Sequence, residues 1–282
     1  MLCALPIGKA VLLAQLAYQS PDVVEQAYTS KAAVLEGALE LPRYLTDADT
    51  DLQAYIVRFP DLTAIAVRGT STLQDAFCDL QADMCTFHST LNPGLPFSRV
   101  HCGMFEQYCK LETLIKPVLD EMTIDENEKV VCLGHSLGAA IATMAAVSLS
   151  TVYPNRVSLY GFGSPRVGDA KFKAICQQHL TDLTLVKHSA DPVVKVMVGS
   201  VYQHVAEMQL CGGIDFFPSI PSLLDLPDHA ITGYVRNLEN QQQARSKSLP
   251  ERWLGLFFKF FVDRIADKKR EAGKPPVLPP RS

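Results

Sequence analysis

Between Lys129 and His188 the chain alternates short apolar, β-branched runs with helix-patterned segments: KVVCLG, AAIATMAAVSLS, VSLYGF, GDAKFKAICQQH and LTLVKH. Few folds accommodate such a pattern. Strands buried on both faces read as continuous apolar runs, and strands joined through helices pair in parallel. The alternation therefore predicts an α/β protein with a mostly parallel central sheet and helices on both faces. Upstream, QAYIVRF (53–59) and LTAIAVR (62–68) flank Pro60-Asp61 and predict a hairpin-like pair whose second, nearly all-apolar strand is central. Two helices should open the chain, the second started by Ser20-Pro21-Asp22, and a long helix is expected over about 103–122.

A chain of 282 residues that is 48% hydrophobic and 20% charged can bury one large core. Its net charge of -4 supplies no broad positive field, which argues against nucleic acid as a partner. The eight cysteines are scattered without a CxxC pair and read as buried thiols. The apolar N-terminal run lacks a basic stretch ahead of it and is interrupted by Lys9, a poor fit to a secretory signal. The expectation is a cytoplasmic protein with peripheral membrane contact, secretion being the lesser alternative.

The sequence changes character at Gln241-Gln242-Gln243. A catalytic body over residues 1–240 is expected, followed over 241–282 by a linker, an amphipathic helix and a proline-rich tail. Trp253, Leu254, Phe257, Phe258, Phe261 and Ile265 share one helical face within 251–270, which would dock on the body or lie in a membrane surface. Pro276-Val277-Leu278-Pro279-Pro280-Arg281 fits a PxxPx[RK] ligand for an SH3-type partner at 276–281.

Gly134-His135-Ser136-Leu137-Gly138 matches GxSxG, and it follows an apolar β-branched run and opens an Ala-rich helical run. That strand-turn-helix setting is what the nucleophile elbow requires, since the sharp turn exposes the serine hydroxyl. A serine needs a histidine to take its proton and a carboxylate to orient that histidine. On an elbow of this kind they follow in the order Ser, Asp, His. Asp191 lies in a loop just past the strand LTLVKH, where open α/β sheets build their sites. His229, on a loop after Pro227-Asp228, is the expected base, whereas His204 lies in a β-like alternation and reads as a core or edge residue. His135 points away from the serine on such a turn, and His88 and His101 would break the chain order. The Leu137 backbone N–H is one expected oxyanion donor, and Thr70, after the strand LTAIAVR, supplies the other.

With these residues in place the chain resembles the class 3 lipases, the fungal triacylglycerol lipase-like family of α/β-hydrolases. AVRGTSTLQDAFCDL resembles that family's strand and oxyanion loop, HCGMF its H-x-G-F element and VVCLGHSLGAA its nucleophile elbow. YGFGSPRVGD is similar to its GSPRVG loop, and HSADPVVKV and DHAITGY to its acid and histidine segments. The resemblance spans about Asp51 to Leu238. It implies an α/β-hydrolase fold with the triad Ser136, Asp191 and His229 and the oxyanion residues Thr70 and Leu137. Residues 71–87 occupy the position of that family's lid helix, the alternative being an ordinary surface helix packed on the core. The implied activity is ester hydrolysis of acyl lipids without metal or organic cofactor. Phospholipase A1 and feruloyl-type esterase activity are the enzymatic alternatives, and a lipase-like scaffold is the non-enzymatic one.

Overall fold

Side chains alternate across each strand, and this alternation sorts the core into two layers on either side of one sheet. The structure, a computed structural model, describes residues 5–69, 83–188, 191–195, 201–211 and 230–245. Two helices, α1 (Ile7–Leu16) and α2 (Pro21–Thr29), precede β1 (Arg43–Asp47), β2 (Leu52–Phe59) and β3 (Leu62–Val67). Next come β4 (Met84–Thr86), β5 (Arg99–His101) and α3 (Cys102–Glu121). Alternating elements follow: β6 (Lys129–His135), α4 (Leu137–Val152), β7 (Val157–Phe162), α5 (Ala170–His179) and β8 (Asp182–His188). β9 (Met208–Cys211) and α6 (Ile231–Arg245) close the described chain.

The main sheet runs β1-β2-β3-β6-β7-β8-β9. β3 and β6 to β9 are parallel, while β1 and β2 add an antiparallel edge. This is an α/β-hydrolase fold, with β3 buried along its whole length between β2 and β6. One face of the sheet, with Ile65, Cys132 and Leu159, packs against Tyr108 and Leu111 of α3, Ile141 and Met144 of α4 and Phe172 of α5. The opposite face, with Ala66, Leu133 and Phe162, packs against α1 and against Tyr234 and Val235 of α6. β4 and β5 pair separately as a short antiparallel ribbon leading into α3. His101 caps that helix, its Nδ1 accepting the Met104 N–H at 3.3 Å.

Several expectations change at this level. α6 continues through Gln241, Gln242 and Gln243 to Arg245, so the expected linker start falls inside a helix; Gln and Ala are good helix formers. Of the expected lid segment 71–87, residues 71–82 lie outside the described residues, and Met84–Thr86 is a strand paired with β5 rather than helix. The amphipathic segment 251–270 and the tail 276–281 also lie outside the described residues. His204 sits in irregular chain rather than in a strand. Among the described cysteines, Cys132, Cys176 and Cys211 are buried thiols, whereas Cys85, Cys102 and Cys109 are half-buried.

One buried polar cluster ties α3 to the loop between β4 and β5. Glu112 accepts hydrogen bonds from Ser89 Oγ at 2.5 Å, from the Tyr108 hydroxyl and from the Thr90 N–H at 3.1 Å. Burial alone would raise the Glu112 pKa, but these donors overcome it and hold the carboxyl below its ordinary range. A carboxyl with a depressed folded pKa stabilises the fold above its unfolded value, and that contribution disappears as pH falls through the folded one. Glu112→Ala is expected to cost at least about 2 kcal/mol at neutral pH, because buried donors lose their acceptor. It should also flatten the loss of stability below about pH 4.5. Urea denaturation across pH 3 to 7 checks both; an acid limb as steep as wild type would contradict this role.

Candidate active site

The sharpest backbone feature lies between β6 and α4. Ser136 adopts φ 58° and ψ −130°, a region that a residue with a β-carbon rarely occupies. Its N–H donates to the Phe162 carbonyl at 2.9 Å, and its own carbonyl accepts the Ala139 N–H at 3.0 Å. Glycines make the turn sterically feasible. A β-carbon on Gly134 would stand 2.5 Å from the Gly138 carbonyl carbon. One on Gly138 would strike the Val67 carbonyl oxygen at the end of β3 and lie 2.7 Å from the Arg68 carbonyl carbon. The elbow is thus pressed against itself and against the end of the neighbouring strand. Leu137 is the first residue of α4, and the early N–H groups of a helix have no partner within it.

Gly69, just past β3, follows the same logic. A β-carbon there would stand 2.5 Å from the Tyr18 hydroxyl, 2.6 Å from the His135 carbonyl oxygen and 3.2 Å from the Ser136 β-carbon. The loop leading to Thr70 therefore runs against the serine elbow; Thr70 itself lies outside the described residues.

Asp191 is fully buried beyond the carboxyl end of β8. Its Oδ1 accepts the Val193 N–H at 2.8 Å and its Oδ2 accepts the Tyr234 hydroxyl. The same phenol oxygen accepts the His188 N–H at 3.0 Å. Burial, and then the neighbouring Asp191 charge, push the Tyr234 phenol far above its ordinary value, so it remains a donor. The same two causes push the Cys211 thiol up to about 12. The Tyr234 ring also meets His135 edge-on, with centroids 5.6 Å apart. Tyr234 lies in the first turns of α6, so the start of that helix is held against both the carboxylate and the residue before the serine. His229 precedes α6 by two residues and lies outside the described residues.

Ser136, Leu137, Gly69 and Asp191 thus gather at the carboxyl edge of the parallel strands, where such sheets bind ligands. Three of the described histidines have partners of their own. His204 donates from Nε2 to the Val194 carbonyl at 2.8 Å, and burial lowers its pKa, so the ring braces the loop that carries Asp191. His135 Nδ1 lies 2.8 Å from the Tyr18 hydroxyl, and His88 Nδ1 lies 3.3 Å from the Thr86 carbonyl oxygen. Among the described residues no three His, Cys, Asp or Glu side chains converge as a metal site. Sequence reasoning missed Tyr18, which lies in no motif, and gave no role to Tyr234, although it closes the DHAITGY segment.

Comparison with known proteins agrees with this geometry. The class 3 lipase family model matches residues 64–200. The chain is 32% identical over 163 residues to a secreted mono- and diacylglycerol lipase from Penicillium cyclopium, a match covering 56% of this chain and 51% of that one. It is 39% identical over 74 residues to a chloroplastic phospholipase A(1) from Arabidopsis thaliana, covering 26% and 17% of the two chains. The chain spans about half the length of the Penicillium relative and less of the plant one. The solved lipase of Rhizopus microsporus var. chinensis superposes with a TM-score of 0.61 at 23% identity, covering 75% of this chain and 74% of that one, which establishes the shared fold.

The relatives correct one expectation. The Penicillium and Fusarium relatives are named as secreted enzymes, which overturns the cytoplasmic assignment. Scattered thiols and a sparse basic flank report on disulfides and leader pattern, and neither property determines where this fold works.

The strained turn has a direct stability consequence. Glycine ordinarily costs about 0.5–1 kcal/mol relative to alanine. Relief of a strained backbone is worth about 1–3 kcal/mol. Ser136→Gly is therefore expected to be more stable than Ser136→Ala by about 1 kcal/mol, the reverse of the usual order. Equilibrium unfolding in urea measures it, and an alanine variant at least as stable as the glycine variant would show the turn to be unstrained.

Proposed function

As the chain belongs, over residues 64–200, to the class 3 lipase family, we propose that it is a serine ester hydrolase acting on acylglycerols. The observation that carries this reading is the strained Ser136 elbow on the same sheet edge as the buried, doubly hydrogen-bonded Asp191. In this reading His229, oriented by Asp191, removes the proton of Ser136, and the hydroxyl oxygen attacks the ester carbonyl carbon. The Leu137 N–H and Thr70 hold the negative oxygen of the tetrahedral intermediate. His229 then protonates the leaving alcohol, and water attacks the acyl-enzyme to release the fatty acid and restore the serine.

Acylglycerols are the preferred substrate class because the Penicillium relative is named for them. Phospholipid cleavage at the first ester is the second reading, favoured by the local identity to the plant phospholipase A(1). Residues 1–240 are assigned to the hydrolase body, whose last helix α6 runs on to Arg245, and the chain beyond that helix to an appendage. Contact of 251–270 with a lipid surface would bring the body to emulsified substrate. The polyproline motif at 276–281 would serve an SH3-type partner.

Ser136→Ala is expected to lower turnover of emulsified diacylglycerol by at least about 10³-fold while remaining folded. Fatty-acid release from diacylglycerol and phosphatidylcholine, side by side, checks activity and ranks the two substrate classes. Retained activity in Ser136→Ala would remove Ser136 as nucleophile, and a folded wild-type chain inert to both lipids would favour a scaffold. Removal of residues 250–282 should weaken vesicle binding without abolishing hydrolysis of soluble esters; unchanged vesicle binding would refute membrane contact by the tail.

A further inference from the structure

Tyr18 lies in the turn after α1, far in sequence from the serine elbow, yet its hydroxyl reaches the centre of the site. It stands 2.8 Å from His135 Nδ1, on the residue immediately before Ser136. It also accepts a hydrogen bond from the backbone N–H of Gly69, the residue immediately before Thr70. A phenol oxygen has one proton and two lone pairs, so it serves both partners whichever tautomer His135 adopts. The phenol therefore bridges two backbone segments that are also packed closely on each other. Burial raises the pKa of this phenol well above its ordinary value, so the bridge persists across the working pH range.

We propose that Tyr18 is a positioning residue that sets the spacing between Gly69 and the Ser136 elbow, by clasping the Gly69 N–H and His135 Nδ1 with one hydroxyl. This inference rests on the hydrolase reading above. Oxyanion stabilisation depends on donors held in place before charge develops, and a small drift of one donor costs rate rather than affinity. Tyr18 touches neither nucleophile nor acid, so its effect passes through the two segments it joins.

Tyr55 provides a matched control. Its hydroxyl donates to the carbonyl of Gln19, the residue after Tyr18, at 2.9 Å, and it touches neither loop nor elbow. Tyr18→Phe and Tyr55→Phe each delete one inward-facing hydroxyl from the same layer of the core. Tyr18→Phe is expected to lower kcat on a soluble ester by about 10-fold or more with KM within about twofold. It should also speed hydrogen exchange at the Gly69 amide. Tyr55→Phe should lower stability comparably and leave kcat, KM and Gly69 exchange within about twofold of wild type.

Full kcat in Tyr18→Phe, or the same kcat loss in both variants, would overturn the positioning role and reduce Tyr18 to a packing residue. A wild-type chain that hydrolyses no ester would instead sink the hydrolase reading and Tyr18's role in turnover with it. Gly69 exchange would then still report whether the clasp exists. The two failures are therefore distinguishable.

Discussion

The site depends on a space that has no room for a β-carbon. Gly138 lies against the Val67 carbonyl, Gly134 against Gly138, and Gly69 against the His135 carbonyl, so the ends of β3 and β6 and the first turn of α4 share one backbone contact zone. Main chain at this separation forces the abrupt change of direction at Ser136, and the price is a positive φ on a residue with a side chain. The same contact aligns the start of α4 with the end of the strand. Strain, helix origin and loop placement are thus one constraint seen from three elements.

A second set of contacts joins this zone to Asp191. Tyr234 donates to Asp191, accepts from the His188 N–H and meets the His135 ring, so one side chain of α6 touches β8, the Asp191 loop and the residue before Ser136. Tyr18 reaches the same histidine from the N-terminal layer. His135, flanked by two phenols, is therefore the point at which α1 and α6, packed on one face of the sheet, support the site at its edge. Polar contacts of this kind inside the core are costly unless satisfied, and here each phenol oxygen has two partners.

Much of this architecture was legible in the sequence. The run Val130 to Leu133 followed by the glycine-flanked Ser136 and an alanine-rich stretch permits little besides a buried parallel strand turning into a helix. Asp191 was legible for a related reason, as it lies directly beyond an apolar strand where parallel sheets open their sites. The short strands β1, β4, β5 and β9 were not. Three to five residues carry too little periodicity to declare themselves, and β9 forms only because β8 offers it an edge. The helix through Gln241-Gln242-Gln243 was hidden because a polar run resembles a linker until its packing partner is known. The roles of Tyr18 and of Tyr234, the last residue of DHAITGY, were illegible for a different reason: they lie in contacts across more than a hundred and more than forty residues, which no local pattern encodes.

The central claim is that Ser136 is held as a nucleophile by the fold around it. The most direct measurement is labelling of the folded chain with a long-chain alkyl fluorophosphonate, followed by peptide mapping of the adduct. The account expects one adduct, on Ser136, formed rapidly in wild type and slowed strongly in Asp191→Asn. An adduct on a different residue, or a folded chain that takes up no phosphonate, would contradict it.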